Sequence, residues 1–139
     1  MNTQARAGFG LMEILIVIAI MGLIAAIALP RLTGSLEKAR TDTTRASLKS
    51  IQTALQTVNL HTSQYPEQLK DLISQKAPTE EMAQNWSGPY LDKVALNDAW
   101  GRKFIYKLTP GESEHPYELY SEGPKGKGAP KEERISAWR

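Results

Sequence analysis

One carboxylate interrupts the most apolar stretch of this 139-residue chain. Residues 14–29 read ILIVIAIMGLIAAIAL, with no charge and no strong hydrogen-bonding side chain, and Glu13 stands directly before them. An ionisable group in such a run costs several kcal/mol unless it snorkels or finds a partner, which makes Glu13 the first candidate for ion-pair chemistry. Spacing leaves a second reading open. Glu13 lies four residues after Phe9, so its carboxylate can also mark the edge of a span, among lipid headgroups. Elsewhere the chemistry is sparse. Without cysteine there is no disulfide, no thiolate metal site and no thiol nucleophile. His61 and His115 stand far apart in polar, loop-like stretches and read as exposed, satisfied histidines. There is no glycine-rich phosphate loop, no Ser/His/Asp signature and no metal-ligand spacing. The residues therefore point away from an enzyme and away from a cofactor.

The element that must position Glu13 is a helix. Residues 9–29 span 21 positions, which at a rise of ~1.5 Å per residue is roughly 31 Å, about the hydrocarbon thickness of a bilayer. A cleaved secretory signal is the first rival, because Ala26 and Ala28 have small-x-small spacing. Pro30 and Arg31 follow directly, however, and the helical pattern resumes beyond them. A buried core helix would need more apolar partner surface than residues 31–139 offer. A retained membrane helix fits best. Its orientation is poorly marked: Arg6 precedes it, while Arg31, Lys38, Arg40 and Arg45 follow, offset by Glu37 and Asp42. Counted alone, those charges favour a cytoplasmic C-terminal side.

Beyond Pro30, Leu32, Leu36, Ala39, Ala46, Leu48, Ile51, Leu55 and Val58 recur mostly at three- and four-residue steps. One long helix from about residue 9 to about residue 60 is expected, bent or locally melted between Gly22 and Pro30. Its stripe Leu48/Ile51/Leu55/Val58 would pack on a small sheet. Lys38, Arg40, Arg45 and Lys49, with Glu37 and Asp42, would form a solvated or subunit-facing side. Residues 67–74 suit a short helix, and 77–91 read as loop. Residues 103–108 and 117–121 read as two strands of a hairpin turned at Pro110-Gly111. From Gly123 the chain is turn-rich and basic. Lys125 to Arg139 holds five cations and two acids, and without interleaved aromatics this reads as a solvated tail rather than a nucleic-acid contact. Trp100 reads as a core anchor.

The leader Arg6-Ala7-Gly8-Phe9-Gly10-Leu11-Met12-Glu13 resembles the class III leader of type IV pilins and pseudopilins. It ends a short polar segment in glycine, places Phe9 next, puts glutamate fifth from Phe9, and then runs apolar. The resemblance implies cleavage by a prepilin peptidase between Gly8 and Phe9, with methylation of the new Phe9 amine. It also implies a cytoplasmic N-terminus and a periplasmic C-terminal domain, against the charge count. The amine of Phe9 on a neighbouring subunit is the partner it implies for Glu13. Gly10 stands where the family usually has Thr or Ser.

Later motifs narrow the likeness. Tyr65-Pro66, Gly88-Pro89-Tyr90, Asp98-Ala99-Trp100-Gly101, the predicted hairpin, Ser121-Glu122-Gly123-Pro124 and Trp138 follow in the order seen in major pseudopilins of type II secretion systems. Ala99 replaces the usual proline. The implied fold is α+β and type IV pilin-like, a long N-terminal membrane-spanning helix packed on a small C-terminal antiparallel sheet. The implied division is a leader (1–8), a transmembrane and filament-core helix (9–29), the periplasmic half of the helix (30–62) and a periplasmic globular part (63–139).

The implied function is that of the repeating subunit of a periplasmic pseudopilus, extracted from the inner membrane and polymerised to export folded proteins. Its partners would be other copies, minor pseudopilins, the prepilin peptidase, inner-membrane lipid and, indirectly, an assembly platform and a secretion ATPase. A type IV pilin or DNA-uptake pseudopilin is the near alternative, though the lack of cysteine favours the secretion branch. A membrane-anchored periplasmic binding module is the distant one. The family's C-terminal loop commonly holds calcium through aspartates. Here Lys125 follows Gly123-Pro124, and Glu133 and Arg134 take the paired-acid positions. The expectation is a lost calcium site, with Lys125, Lys127 or Arg134 pairing Glu122, Glu132 or Glu133 in its place.

Overall fold

The structure, a computed structural model, describes residues 10–111 and 114–138. The expected cleavage pair, Gly8 and Phe9, lies outside the described residues. A single helix, α1 (Leu11–Thr62), supplies the first element. The chain divides into two compact units whose boundary falls inside it, after Glu37.

In the first unit no described residue covers the apolar run. Leu11 is 80% exposed, Ile18 55% and Ile24 61%. The most apolar window of α1 has a mean hydropathy of 2.8 and is 0% buried. A core helix would be buried, so that alternative falls. Leaving thirteen large side chains between Leu11 and Leu29 this open forgoes on the order of 20 kcal/mol of burial, which only lipid or other helices can supply. α1 continues as helix without a break through Gly22 and Pro30. Of the two expected forms, local melting is not what this structure holds. Proline removes a single i→i−4 hydrogen bond, and the neighbouring bonds carry the helix past it.

The second unit is built around the later half of α1. Leu48, Ile51, Leu55 and Val58 are at most 1% exposed, as side chains three and four positions apart share one helical face. Opposite them come Phe104, the inward residues Tyr117 and Leu119 of β2 (Tyr117–Ser121), and Ile135 of β3 (Ile135–Ser136). β2 is the centre of a three-stranded antiparallel sheet. It pairs on one side with β1 (Ile105–Leu108), Ile105 facing Tyr120, and on the other with β3, Ser121 facing Ile135. The two-residue period of β2 sends Tyr117, Leu119 and Ser121 inward and Glu118 outward.

Four expectations change. The segment 67–74 forms a 3₁₀ turn, Leu69–Ile73, rather than an α-helix, with Leu72 at its buried point. The supposed loop 77–91 contains a short helix, α2 (Glu80–Ala83), because Thr79 caps it: its Oγ1 accepts the Met82 N–H at 3.3 Å, and Met82 enters the core. The basic tail is not a solvated one. Ala129 and Ile135 are buried, Ile135 pairs with Ser121, and the Trp138 indole N–H donates to the Tyr117 carbonyl at 3.0 Å. The histidines are also more engaged than expected. His61 ends α1 with Nδ1 3.0 Å from the Tyr90 hydroxyl, and His115 stacks on Trp138 with ring centres 4.0 Å apart.

Candidate functional sites at the helix start and the C-terminal loop

Glu13 sits in the first turn of α1 and is exposed. Its N–H donates to the Gly10 carbonyl at 2.9 Å. The positive end of the helix dipole favours a carboxylate there, by about 0.3–1 kcal/mol in water. That suits a free subunit and is far too little for a dry filament core. Among the described residues none offers the Glu13 side chain a cation, so any such partner comes from elsewhere. Phe9, the expected one, lies outside the described residues.

The C-terminal loop is organised from a buried carboxylate. The Asp98 side chain is 1% exposed. Its Oδ1 accepts the N–H of Trp100 at 3.0 Å and of Arg102 at 2.9 Å, while Oδ2 accepts the Ser121 hydroxyl at 2.7 Å. A buried charge is tolerable when its lone pairs are met in this way. Asp98 and the turn 98–102 hold one another: the Asp98 N–H donates to the Arg102 carbonyl at 2.7 Å, and Gly101 takes a φ of +80° that only glycine adopts cheaply. Thr44 on α1, fully buried, accepts the Ala99 N–H through Oγ1 at 3.1 Å and fastens the turn to the helix.

From that turn a cation reaches the loop. Arg102 lies with Nε 3.6 Å from Asp98 Oδ2 and with Nη2 donating to the Gly123 carbonyl. A side chain on Gly126 would fall on Arg102 Nη1. The Ser121 hydroxyl, held by Asp98, accepts the Gly123 N–H at 3.0 Å. Charged side chains of the loop find other partners. Lys125 Nζ is 2.7 Å from Glu133 Oε1. Glu122 accepts the Gly128 N–H at 3.2 Å rather than a cation. Arg134 donates from Nε to the Ala129 carbonyl at 2.9 Å and covers the Tyr120 ring at 4.8 Å. Lys127 and Glu132 are exposed and form no ion pair among the described residues.

Arg102, Asp98 and Thr44 were absent from the expected site. The signal for Asp98 was visible, since Asp-x-Trp-Gly has the form of a side chain capping its own turn. Arg102 carried no such mark. Its role depends on Gly123 and Gly126, which only the fold brings to it.

This donor set does not suit calcium, which takes six to eight oxygens. Gly123 O and Ala129 O already accept from arginines, one Glu122 oxygen from a backbone N–H and one Glu133 oxygen from Lys125. Among the described residues no three His, Asp or Glu side chains gather where an ion could sit.

Known proteins share both the sequence and the arrangement. Residues 31–138 match the family described as type II secretion system (T2SS), protein G, and residues 3–29 match the prokaryotic N-terminal methylation motif. The type II secretion system core protein G of Pseudomonas aeruginosa is 31% identical over 143 residues, covering 99% of each chain. That of Escherichia coli K12 is 32% identical, covering 98% of this chain and 93% of its own. The Klebsiella pneumoniae protein is 34% identical over 88% of each. The crystal structure of the major pseudopilin of enterohaemorrhagic Escherichia coli superposes with a TM-score of 0.61 at 24% identity, over 78% of this chain and 95% of that one. Its likeness speaks for the fold: a long helix laid on a small antiparallel sheet. With a family match over residues 31–138 and a methylation motif across the apolar start of α1, the chain belongs to the protein G family of type II secretion systems.

Proposed function

We propose that this protein is the major structural subunit of a periplasmic pseudopilus, which polymerises to drive folded proteins across the outer membrane. It works by assembly and not by catalysis. In this reading residues 1–8 are removed by a prepilin peptidase, and Phe9 becomes the methylated N-terminus. Residues 9–29 wait in the inner membrane with the N-terminus in the cytoplasm. The remainder, residues 30–62 of the helix and 63–139 of the globular part, stands in the periplasm. Gly22 and Pro30 are where α1 would yield as neighbouring helices pack. Minor pseudopilins, an assembly platform and a secretion ATPase would act with it.

The observation that carries the reading is the apolar start of α1, uncovered by any described residue, with one carboxylate in its first turn. A helix that joins others in a filament leaves water and lipid together, so Glu13 must be paired there. The Phe9 amine of the next subunit is positively charged and close in sequence register. A subunit docked one turn out of place would bury both charges unpaired, at about 3–5 kcal/mol. The pair thereby sets the axial step.

In a deletion strain carrying Glu13→Ala, the subunit should insert and be cleaved normally, while pseudopilus assembly and exoprotein secretion fall at least about 100-fold, the equivalent of roughly 3 kcal/mol. Wild-type assembly by that variant defeats the pairing. Normal secretion with loss of twitching or DNA uptake would move the protein to another branch of the superfamily. A chain uncleaved at Gly8 and never polymeric would leave only a membrane anchor.

A further inference from the structure

We infer that Arg102 is the resident cation of the C-terminal loop, so that this subunit closes the loop with its own guanidinium and without calcium. The inference concerns the second unit alone and stands whether or not the protein forms a pseudopilus.

Arg102 is held from behind. Its backbone N–H is bound by Asp98 Oδ1 and its Nε faces Asp98 Oδ2 at 3.6 Å, while the ring of Trp100 lies 5.7 Å from its Cζ. The guanidinium points at the turn 123–126. Nη2 donates to the Gly123 carbonyl and Nη1 lies against Gly126. Gly126 is suited to this contact twice over: its φ of +77° disfavours any other residue, and a Cβ there would occupy the place of Nη1. The turn then propagates. Gly126 donates to the Gly123 carbonyl at 3.3 Å and Ala129 to the Gly126 carbonyl at 3.0 Å, which brings the buried Ala129 under the Arg134 side chain.

A divalent ion would have to displace these donors and then sit beside three cations, Arg102, Lys125 and Arg134. Guanidinium suits the task better than ammonium. It is planar, so Nη2 can donate to the Gly123 carbonyl while the charge stays beside Asp98, with Nε 3.6 Å from Oδ2. Lys125, the nearer candidate from sequence, is spent on an exposed pair with Glu133 whose side chains are 68% and 39% accessible.

The test uses the full chain in detergent micelles. Trypsin reports the loop directly, because Lys125, Lys127 and Lys131 are exposed within it. Wild-type protein should show the same Tm within about 1 °C, and the same slow cleavage, with excess EGTA or with millimolar calcium. Arg102→Gln should lower Tm by about 5 °C and speed cleavage at these lysines about tenfold, and calcium should not restore either. Arg102→Lys should fall between the two. Gly126→Ala, which fills the place of Nη1 and leaves every charge intact, should open the loop as Arg102→Gln does. Calcium raising the wild-type Tm by several degrees, or EGTA exposing the wild-type loop, overturns the inference without any variant. So does wild-type cleavage of both Arg102→Gln and Gly126→Ala.

Discussion

The two halves of α1 belong to one continuous helix and obey opposite rules. Residues 11–29 bury none of their apolar side chains, whereas Leu48, Ile51, Leu55 and Val58 are sealed against a sheet from the same chain. Both halves are strongly apolar on at least one side, so hydrophobicity by itself does not separate them. What separates them is the pattern. A stripe with helical period and polar residues between its members asks for one partner surface, and residues 69–138 supply it. An all-round apolar rod asks for cover on every side, which a chain this short cannot give itself. The first half is therefore completed by lipid or by other subunits, and the second half by its own domain.

The sharpest test of that division pairs two truncations. Leu55→Ala removes a side chain that is 0% exposed and should destabilise the second unit by about 2–5 kcal/mol, read as a lower Tm in detergent. Ile18→Ala, on the uncovered half, should leave that Tm unchanged. Equal losses from the two would mean that the uncovered half is packed after all.

How far the sequence alone reached follows the same line. Period and register are local, so the helix stripe, the 117–121 strand and Glu13 could all be read in advance. Features made by a few residues at long range could not. β3 consists of Ile135 and Ser136 alone, inside a run whose net positive charge suggested a solvated tail. Yet Ile135 and Trp138 are the large apolar residues of that run, and they are the ones that fold back. α2 had a visible cap in Thr79 and an apolar target in Met82, but four residues are too few to show a period. Arg102 acts on Gly123 and Gly126 across a turn, a strand and a hairpin. Charge counting points to Lys125, Lys127 and Arg134, the cations within the loop's own sequence, and passes over Arg102, which reaches it from another turn.

A second measurement examines the self-sufficient unit through its tyrosines. Tyr117 is buried beside Tyr65, ring centres 5.2 Å apart, and its phenol is pushed up to about 12, first by desolvation and then by Tyr65, with the Gln52 side chain lowering it in part. Burial raises the Tyr106 phenol as well, with the charges of Tyr117, Tyr65 and Asp71 adding to it. A raised pKa in the folded state means the neutral form is preferred there. The stabilising effect is whole below the unfolded value of 10.0 and is lost as pH climbs through about 12. Alkaline unfolding in that window, with a loss on the order of 2 kcal/mol for Tyr117, should coincide with late phenolate absorbance. Tyr117→Phe should remove one late-titrating group. A Tyr117 that ionises near pH 10.0 with the fold intact would show the inner face of β2 to be wetter than its packing implies.

The smallest effect belongs to the pair most easily noticed. Lys125 and Glu133 approach to 2.7 Å, closer than Arg102 Nε and Asp98, yet both side chains are open to solvent. Water screens the attraction, and two long side chains must be immobilised to make it, so an exposed pair contributes about 0.2–1 kcal/mol at most. Lys125→Ala should therefore shift Tm by a degree or two at low salt and by nothing measurable at high salt. Its neighbours explain why so little is lost. The Gly123 carbonyl remains bound to Arg102, Ala129 to Arg134 and Glu122 to Gly128, so the loop keeps its path with one surface contact missing. A large, salt-resistant loss from Lys125→Ala would place the organising charge of the loop at its surface and not at its root. The second unit would then depend on an exposed ion pair where the geometry assigns the work to a buried carboxylate and the arginine it holds.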